Sequence, residues 1–196
     1  MSIDYYDANF LEFFNNTVNV DMSDIYQRFL PHVVAGGKIL DAGCGSGRDA
    51  KVFKDLGYKV TAFDASLEMA KIASKHIGQK VANASFFTFS SVEKYDGIWA
   101  CASLLHVSRA ELQASMRRLS KMLADDGVWY ASFKYGSEER SVNGRYFSDL
   151  NEEMISSLVD QIDHIFLRDV WVTTDNRPGR QEKWLNVILT RHDPNG

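Results

Sequence analysis

One short stretch constrains the fold of this chain more than any other. Residues 38–53 read KILDAGCGSGRDAKVF, where an apolar run leads through Gly43, Gly45 and Gly47 into a helix-like run. Glycines between a strand and a helix let the backbone approach a ligand closely and leave free amide groups at the helix N-terminus. The stretch therefore predicts a nucleotide-binding α/β domain, with a tight turn that binds no ligand as the alternative.

Length and composition predict an ordinary globular domain around this turn. The chain has 196 residues, 45% of them hydrophobic and 24% charged, and a formal net charge of -4, so we expect one domain over 1–196. The acidic balance argues against nucleic acid and anionic membranes as partners, because both attract basic surfaces. No signal-peptide pattern or membrane-length apolar run is found, and Cys44 and Cys101 lack metal-ligand spacing. We expect a cytoplasmic protein without a metal site.

Hydrophobic periodicity predicts helices and strands in alternation. The predicted helices are two within 4–35, then 47–56, 66–76, one that begins with a Ser108–Glu111 capping box, and one around 154–159. The predicted strands are 38–42, 58–64, 80–84, 96–102, 127–134, 166–174 and 183–190, with a loop over 135–148. This order is typical of a mostly parallel, doubly wound α/β sheet with helices on both faces.

The last two predicted strands have no helix between them. Their connection, DNRPGRQE, is too short for a parallel crossover, so the strands are expected to form an antiparallel hairpin at one edge of the sheet. The predicted fold class is therefore Rossmann-like, with one antiparallel strand near its C-terminal end.

Two acidic residues narrow the choice of ligand. Asp64 ends the second predicted strand, where a carboxylate accepts hydrogen bonds from both ribose hydroxyls; alternatively, it caps the next helix. Asp41 stands directly before the glycines, where a fixed charge repels a pyrophosphate but not an ammonium or a sulfonium. Its alternative role is to brace the turn through backbone amides. These charges favour S-adenosylmethionine over NAD(P).

The motifs ILDAGCGSGRDA, VTAFDAS and YDGIWACASLLHV resemble those of class I S-adenosylmethionine-dependent methyltransferases. Within them, the chain is similar to small bacterial enzymes related to tellurite-resistance methyltransferases, and SFKYG, GRYF and WLNV extend a looser likeness over most of the chain. The resemblance implies a seven-stranded sheet whose seventh strand is antiparallel and lies between strands five and six. It also implies a tellurium or selenium oxyanion as acceptor in the nearest relatives.

The resemblance further implies where S-adenosyl-L-methionine would bind. The residues expected around its methionine portion are Asp41, Gly43, Cys44 and Gly45. Those expected at the ribose and the adenine are Asp64, Ala65, Ser66, Ser85 and Phe86. Beside the transferable methyl group we expect Ala102 and Ser103, and Tyr6 in an N-terminal helical lid is expected to bond the cofactor carboxylate. An acidic residue common in the family near Ser85 is missing, which leaves the adenine amine to backbone groups.

Three further residues are the catalytic candidates. His106 is the candidate general base, because it follows the fourth strand and titrates near neutrality; alternatively, it is a loop histidine bonded to a backbone carbonyl. Arg145 and Tyr146 lie in a loop expected to reach the same edge of the sheet. Other cations and two aromatic residues are expected nearby, either facing an anionic acceptor or serving as surface and core: Lys134, Arg140, Arg177, Arg180, Trp171 and Trp184.

The function predicted from these residues is in-line methyl transfer to a small-molecule acceptor, with the protein aligning the nucleophile and excluding water. The alternatives are a non-catalytic protein that binds S-adenosylmethionine or S-adenosylhomocysteine, and an NAD(P)-dependent oxidoreductase, whose GxGxxG spacing these glycines do not match. We expect a helical lid over 1–35, a cofactor-binding core over 36–133 and a substrate-side loop, helix and edge hairpin over 134–196. The expected assembly is a monomer or a homodimer.

Overall fold

The fold is seen in a computed structural model that describes residues 2–175 and 179–192. Its α-helices are α1 (Ser2–Ala8), α2 (Phe10–Thr17), α3 (Ser23–Phe29), α4 (Arg48–Asp55), α5 (Leu67–Ile77), α6 (Arg109–Ser120) and α7 (Glu152–Val159). Its strands are β1 (Lys38–Ala42), β2 (Lys59–Asp64), β3 (Ala82–Asn83), β4 (Tyr95–Ala100), β5 (Leu123–Lys134), β6 (Glu139–Val142), β7 (Arg145–Ser148), β8 (Phe166–Thr174) and β9 (Lys183–Thr190). Single turns of 3-10 helix cover Leu30–His32 and Leu104–His106.

Seven strands form the central sheet in the order β3-β2-β1-β4-β5-β9-β8. Strands β1 to β5 pair in parallel, whereas β9 is antiparallel to both of its neighbours, β5 and β8. The predicted fold class is confirmed, including the position of the antiparallel strand. The chain moves from β1 to β2 on one side and later returns to β4 on the other, which opens a crevice beyond the carboxyl ends of β1 and β4.

The central strands of the sheet are buried on both faces, as their apolar sequences predict. Adjacent residues of β1, Ile39 and Leu40, are both 0% exposed and belong to different hydrophobic clusters, because successive side chains of a strand point to opposite faces. On the face that carries Ile39, the Trp99 indole stacks on the Tyr130 ring with centroids 4.2 Å apart and meets Phe53 edge-on. This packing fixes the strand ends from which the candidate site is built.

The N-terminal segment differs from its prediction. Two helices were expected within 4–35, but the structure has three, because α1 and α2 are separated at Asn9. Asn9 leaves the helical region with φ of -120°, and its side-chain amide donates to the Tyr5 carbonyl over 2.8 Å. Asparagine competes for backbone groups in this way and so interrupts a run of helically spaced aromatic residues. The break lets α1 turn onto the carboxyl edge of the sheet.

The predicted loop over 135–148 was wrong. The segment forms the antiparallel hairpin β6–β7, which turns at Asn143 and Gly144 with φ of 52° and 77°. Asn-Gly at positive φ is the preferred pair for a two-residue hairpin turn, so the sequence SVNGRY carried the signal. Strand β7 begins at Arg145 and directs residues 145–148 toward the Leu104–His106 turn.

Two smaller differences concern element ends. Strand β5 begins at Leu123 rather than at residue 127. Helix α6 begins as expected after Ser108, but the Ser108 hydroxyl donates to the Glu111 carboxylate instead of accepting from a helical amide, so the reciprocal capping box is not formed. Across the described residues, no helix is both long enough and apolar enough to cross a membrane.

Candidate active site

A cavity of about 890 Å³ lies at the carboxyl edge of the sheet, over the crevice between β1 and β4. The residues that line it come from 43–49, 63–69, 84–87 and 101–108, from the N-terminal helices, from the β6–β7 hairpin, and from the facing ends of β5, β8 and β9. The cavity therefore has one side built by the glycine turn and another built by the hairpin and the last two strands.

The glycine turn is packed directly against the end of β4. Gly43 has φ of +77°, and a Cβ atom on it would lie 2.6 Å from Ser103 Cβ, closer than two carbon atoms approach. The Ser103 hydroxyl donates to the Ala42 carbonyl over 2.7 Å, so it joins the carboxyl ends of β1 and β4. Glycine is therefore required at position 43 both for backbone conformation and for space.

Asp64 connects the glycine turn to the start of α5. One carboxylate oxygen accepts from Gly45 N over 2.8 Å, and the other accepts from Ser66 N over 2.9 Å. Burial raises the pKa of Asp64 to about 6, against the effect of these amides, and the charge of Asp7 adds to the rise. Each oxygen still has a lone pair for a ligand hydroxyl, and Asp64 lines the cavity.

Asp41 is placed behind the turn rather than in the cavity wall. It is 2% exposed, and its carboxyl accepts from Ala50 N in the first turn of α4 over 3.1 Å. Burial raises the pKa of Asp41 well above its usual value, and the nearby Asp49 carboxylate raises it further. The structure thus gives Asp41 the bracing role, and its carboxyl group does not line the cavity in which the ligand would bind.

The other residues predicted to contact the cofactor all line the cavity. They are Tyr6, Gly43, Cys44, Gly45, Ala65, Ser66, Ser85, Phe86, Ala102 and Ser103. Ala102 adopts a left-handed conformation with φ of 50°, and its amide donates to the Ser132 hydroxyl over 2.8 Å. A non-glycine residue at positive φ costs energy and is typical of functional sites.

His106 is held between two partners. Its Nδ1 lies 2.7 Å from the Tyr146 carbonyl, and its Nε2 lies 2.8 Å from the Tyr6 hydroxyl. Since a carbonyl only accepts, Nδ1 carries the proton and Nε2 accepts from Tyr6. Burial lowers the pKa of His106 to about 4, and the positive charge of Arg145 contributes. The imidazole is therefore neutral near pH 7. Its bond to the Tyr146 carbonyl is the contact expected if His106 is a loop histidine rather than a general base.

Arg145 lies beside this pair. Its guanidinium carbon is 4.8 Å from the centre of the Tyr5 ring and 5.3 Å from that of Phe147. Burial raises the pKa of Tyr6 to about 12, and the guanidinium opposes that rise. Arg145 Nε is buried without a hydrogen-bond partner. Arg145, Tyr6 and His106 thus converge on one part of the cavity.

Tyr146 contributes through its backbone. Its phenolic hydroxyl donates to the Glu139 carboxylate on the facing strand of the hairpin, while its amide donates to the Ser2 hydroxyl over 2.9 Å. Its carbonyl accepts from His106 Nδ1, and Tyr146 lines the cavity. The contacts of Tyr146 thus connect it to His106, to α1 and to the facing strand of the hairpin, and its catalytic role stays a prediction.

The cations predicted to face the cavity divide into two groups. Lys134 and Arg180 line it, and both pair with Glu182, over 2.7 and 3.4 Å. Arg140 does not line it and pairs with Asp149 over 2.8 Å. Trp184 lines the cavity beneath Lys134, whereas Trp171 packs against Arg28 outside it. Arg177 lies outside the described residues.

A buried ionic network beside the glycine turn was missed by the sequence analysis. Asp49 pairs with Arg48, Nε to Oδ1 over 2.6 Å and Nη2 to Oδ2 over 2.9 Å, and it also accepts from the Tyr26 hydroxyl and from Trp99 Nε1. Burial raises the pKa of Asp49, but Arg48 outweighs that effect and lowers it overall. Both residues line the cavity. Their position directly after Gly47 was the available signal.

Asp7 was also missed, and no sequence signal marked it. Its carboxylate accepts from the Ser66 hydroxyl over 2.5 Å and from Glu68 N over 3.2 Å, and it thereby attaches α1 to the N-terminus of α5. A carboxylate is stabilised at that end of a helix. Within the part of the chain that is described, no group of three or more His, Cys, Asp or Glu residues is arranged to hold a metal ion.

Comparison with known proteins gives a consistent family and fold. Residues 14–134, more than half of the chain, match the family model described as a methyltransferase domain. Over 163 residues, which are 79% of each chain, the sequence is 25% identical to an uncharacterized methyltransferase of Staphylococcus carnosus.

Two solved structures share the fold. One is the 1,6-didemethyltoxoflavin-N1-methyltransferase of Burkholderia thailandensis, solved with 1,6-didemethyltoxoflavin and S-adenosylhomocysteine bound. It superposes with a TM-score of 0.76 and 19% sequence identity, and the match covers 97% of this chain and 88% of that chain. The other is the magnesium protoporphyrin IX methyltransferase of Synechocystis PCC 6803 with bound S-adenosylhomocysteine. Its TM-score is 0.76 and its sequence identity 15%, and the match covers 97% of this chain and 98% of that chain.

Proposed function

The chain belongs to the methyltransferase-domain family, and we propose that it transfers the methyl group of S-adenosyl-L-methionine to a small-molecule acceptor by in-line displacement. The position of Asp64 carries this proposal. Its carboxylate joins the glycine turn to α5 on the wall of a cavity at the switch point of the sheet, where open α/β sheets bind nucleosides.

The proposed binding mode follows the order of residues around the cavity. The two Asp64 oxygens would accept from the ribose hydroxyls, and the glycine turn would run along the methionine portion. The adenine would lie among Ala65, Ser66, Ser85 and Phe86, and the methyl group would face Ala102 and Ser103. Their common position on the cavity wall supports this arrangement.

Arg48 is the proposed partner of the cofactor carboxylate. Its Nε and Nη2 are taken by Asp49, but Nη1 reaches only the Thr17 carbonyl, at 3.4 Å. Nη1 thus retains donor capacity next to the glycine turn. This assignment replaces the expectation for Tyr6, whose hydroxyl is directed at His106.

S-adenosylmethionine supplies both the methyl group and a good leaving group, so the protein residues act by alignment and by excluding water. Alignment of this kind lowers barriers by roughly 7–11 kcal/mol. A histidine whose pKa is lowered to about 4 is a weak base near pH 7. We therefore assign His106 and Arg145 to holding the acceptor, with Tyr146 positioning His106.

The finer parts of the proposal concern acceptor, organisation and location. The likeness to tellurite-resistance-related enzymes is supported by the quoted motifs, and the two free cysteines fit a reducing, cytoplasmic compartment. The contacts of α1 and α2 with α5 support a helical lid over 1–35, above a core of 36–133 and a substrate side of 134–196. The proposed assembly is a monomer or a homodimer.

Calorimetry with S-adenosylhomocysteine, S-adenosylmethionine and NADH tests the proposal. We expect both sulfur nucleosides to bind and NADH not to bind. Loss of two hydrogen bonds to a carboxylate predicts that Asp64→Ala weakens binding at least about tenfold. The matched control, Asp163→Ala, changes an exposed aspartate that does not line the cavity. Binding of NADH alone would overturn the assignment.

A second measurement separates an enzyme from a non-catalytic binding protein. The chain is incubated with S-adenosylmethionine and a panel of small acceptors, and S-adenosylhomocysteine is quantified. Family membership predicts product above the acceptor-free control. Cofactor binding without product from any acceptor would favour the non-catalytic alternative.

A further inference from the structure

Arg145 differs from the other cations on the cavity wall. The lysine and arginine side chains that line the cavity are Lys134, Arg48, Arg145 and Arg180. Arg48 is paired with Asp49, and Lys134 and Arg180 are paired with Glu182. Between residues 2 and 175 and between 179 and 192, no carboxylate lies within ion-pair distance of Arg145.

The surroundings of Arg145 fix its guanidinium without neutralising it. The group lies over the Tyr5 ring and near the Phe147 ring, at 4.8 and 5.3 Å. These ring faces orient a cation and attract it weakly, but they supply no acceptor for the buried Nε atom. A partly desolvated guanidinium with a free donor is stabilised by an anion from outside the chain.

The neighbouring groups favour a negative charge at the same place. The Tyr6 hydroxyl donates its one proton to His106 Nε2, and His106 Nδ1 donates its proton to the Tyr146 carbonyl, so Arg145 is the side chain of this cluster that keeps a donor for a ligand. A proton added to His106 would lie close to the positive charge of Arg145, which is unfavourable. The cluster therefore suits an anionic ligand better than a ligand that must first give up a proton.

We propose that the methyl acceptor carries a carboxylate, which docks on Arg145 beside Tyr6 and His106. This inference rests on the proposed function and specifies its substrate class. The planar fork of arginine matches the two oxygens of a carboxylate. Arg48, directly after the glycine turn, is left to bind the carboxylate of the cofactor itself.

The cavity favours an organic acid over a small inorganic oxyanion. The cavity of about 890 Å³ is shared between the proposed cofactor and the acceptor, so its lining rather than its total volume distinguishes the two kinds of acceptor. Apolar and aromatic side chains, including Leu105, Val107 and Phe147, line the part of the cavity next to His106. An acceptor with a hydrophobic body and a carboxylate would be complementary to this lining and to Arg145.

Binding of two matched probes tests this inference. Protein saturated with S-adenosylhomocysteine is titrated with benzoate and with benzamide, and ligand-observed NMR gives the two dissociation constants. We expect benzoate to bind at least about tenfold more tightly, because only benzoate forms a charge-assisted pair. Arg145→Gln should abolish the preference and change the affinity for S-adenosylhomocysteine by less than about threefold.

Arg140→Gln is the matched control. Arg140 comes from the same hairpin and lies 5.0 Å from the same Phe147 ring, but it is paired with Asp149, so the benzoate preference should persist. Arg145→Lys, which keeps the charge but not the fork, should retain part of the preference. The wild-type comparison of the two probes tests the inference even if Arg145→Gln does not fold.

Each other outcome has a distinct meaning. Equal binding of the two probes, no binding of benzoate, or a preference that persists in Arg145→Gln would overturn the inference. A loss of more than about tenfold in affinity for S-adenosylhomocysteine in Arg145→Gln would reassign Arg145 to the cofactor carboxylate and overturn it too. Displacement of benzoate by lower concentrations of sodium selenite would indicate an inorganic oxyanion instead. Failure of S-adenosylhomocysteine to bind the wild type would contradict the proposed function itself.

Discussion

The hydroxyl of Tyr6 lies 2.8 Å from Nε2 of His106 and joins the first helix to the turn that follows β4. A second contact, from Tyr146 N to Ser2 Oγ, ties the same helix to the β6–β7 hairpin, and a third, from the Ser66 hydroxyl to Asp7, ties it to the start of α5. Helix α1 therefore contacts three different parts of the fold at the cavity, and the properties of the site depend on whether the helix remains docked on them.

The acid sensitivity of the fold should depend on His106. Its pKa is lowered from 6.5 to about 4 by burial, so between these values the unfolded chain binds a proton that the folded chain does not. The free energy of unfolding should fall as the pH drops through this window. The shift of about 2.5 pKa units corresponds to roughly 3 kcal/mol at about 1.36 kcal/mol per unit.

Urea unfolding of the wild type and of His106→Gln at pH 7 and pH 4.5 measures this contribution. The variant should lose less stability on acidification than the wild type, because it lacks the titrating group. Asp64 acts in the opposite direction in both proteins, so it cancels in the comparison. Equal losses would show that His106 titrates normally.

Cofactor affinity should decrease at low pH because of Asp64. Ribose hydroxyls donate to the ionised carboxylate, and burial raises the pKa of this group to about 6. From pH 7 to pH 5 the ionised fraction falls about tenfold, so the dissociation constant for S-adenosylhomocysteine should rise by about that factor. Calorimetry at several pH values measures it. Asp64→Asn should bind more weakly and without this dependence.

Two substitutions of Asp7 should distinguish the effect of its charge from the effect of its hydrogen bonds. Asp7→Asn keeps an acceptor for Ser66 and Glu68 but removes the charge that raises the pKa of Asp64. The pH midpoint of cofactor binding should therefore move down, while hydrogen exchange in α1 changes little. Asp7→Ala should move the midpoint and also speed exchange in α1.

Glu12→Gln changes an exposed acidic residue on α2 and is the control. It should neither move the pH midpoint of cofactor binding nor speed hydrogen exchange in α1. If Asp7→Ala leaves α1 as protected as in the wild type, the contact with α5 does not hold the helix in place.

Gly43→Ala should destabilise the fold more than a similar substitution elsewhere. Gly43 and Gly57 both have positive φ, but a Cβ atom at position 43 meets Ser103 at 2.6 Å, whereas at position 57 it meets nothing within 4 Å. Backbone strain is common to both, so the excess cost comes from overpacking and should reach about 1–3 kcal/mol. Chemical denaturation of both variants measures it. Equal costs would mean that the β1–β4 junction yields without penalty.

The sheet could be predicted from sequence because its signals are local and repeated. Gly43, Gly45 and Gly47 mark the first turn, and the short connection after β8 excludes a parallel crossover. The Asn143-Gly144 turn is an equally local signal, and it predicts the hairpin that the structure shows in place of the expected loop. The break at Asn9 was harder to predict, since it depends on whether one side chain bonds its own backbone.

The site could be predicted only in part, because its chemistry depends on contacts between distant residues. Asp64 and the glycines lie at fixed places in a strand–turn–helix unit, so their positions on the cavity followed from the fold. That Tyr6 meets His106 across 100 residues of sequence does not follow from any spacing. The same holds for the burial that lowers the pKa of His106 and for the role of Asp7.

The placement of β9 has a consequence for how the chain folds. Strand β8 is made before β9, yet it pairs in the sheet with β9 alone, and β9 in turn bonds β5. Until β9 has docked, the open side of β5 is an unpaired edge, and β8 is connected to the sheet through β9. Strands β8 and β9 form a hairpin that is local in sequence, and this hairpin joins the sheet through the β5–β9 pairing, which is distant in sequence and therefore closes a longer loop of chain.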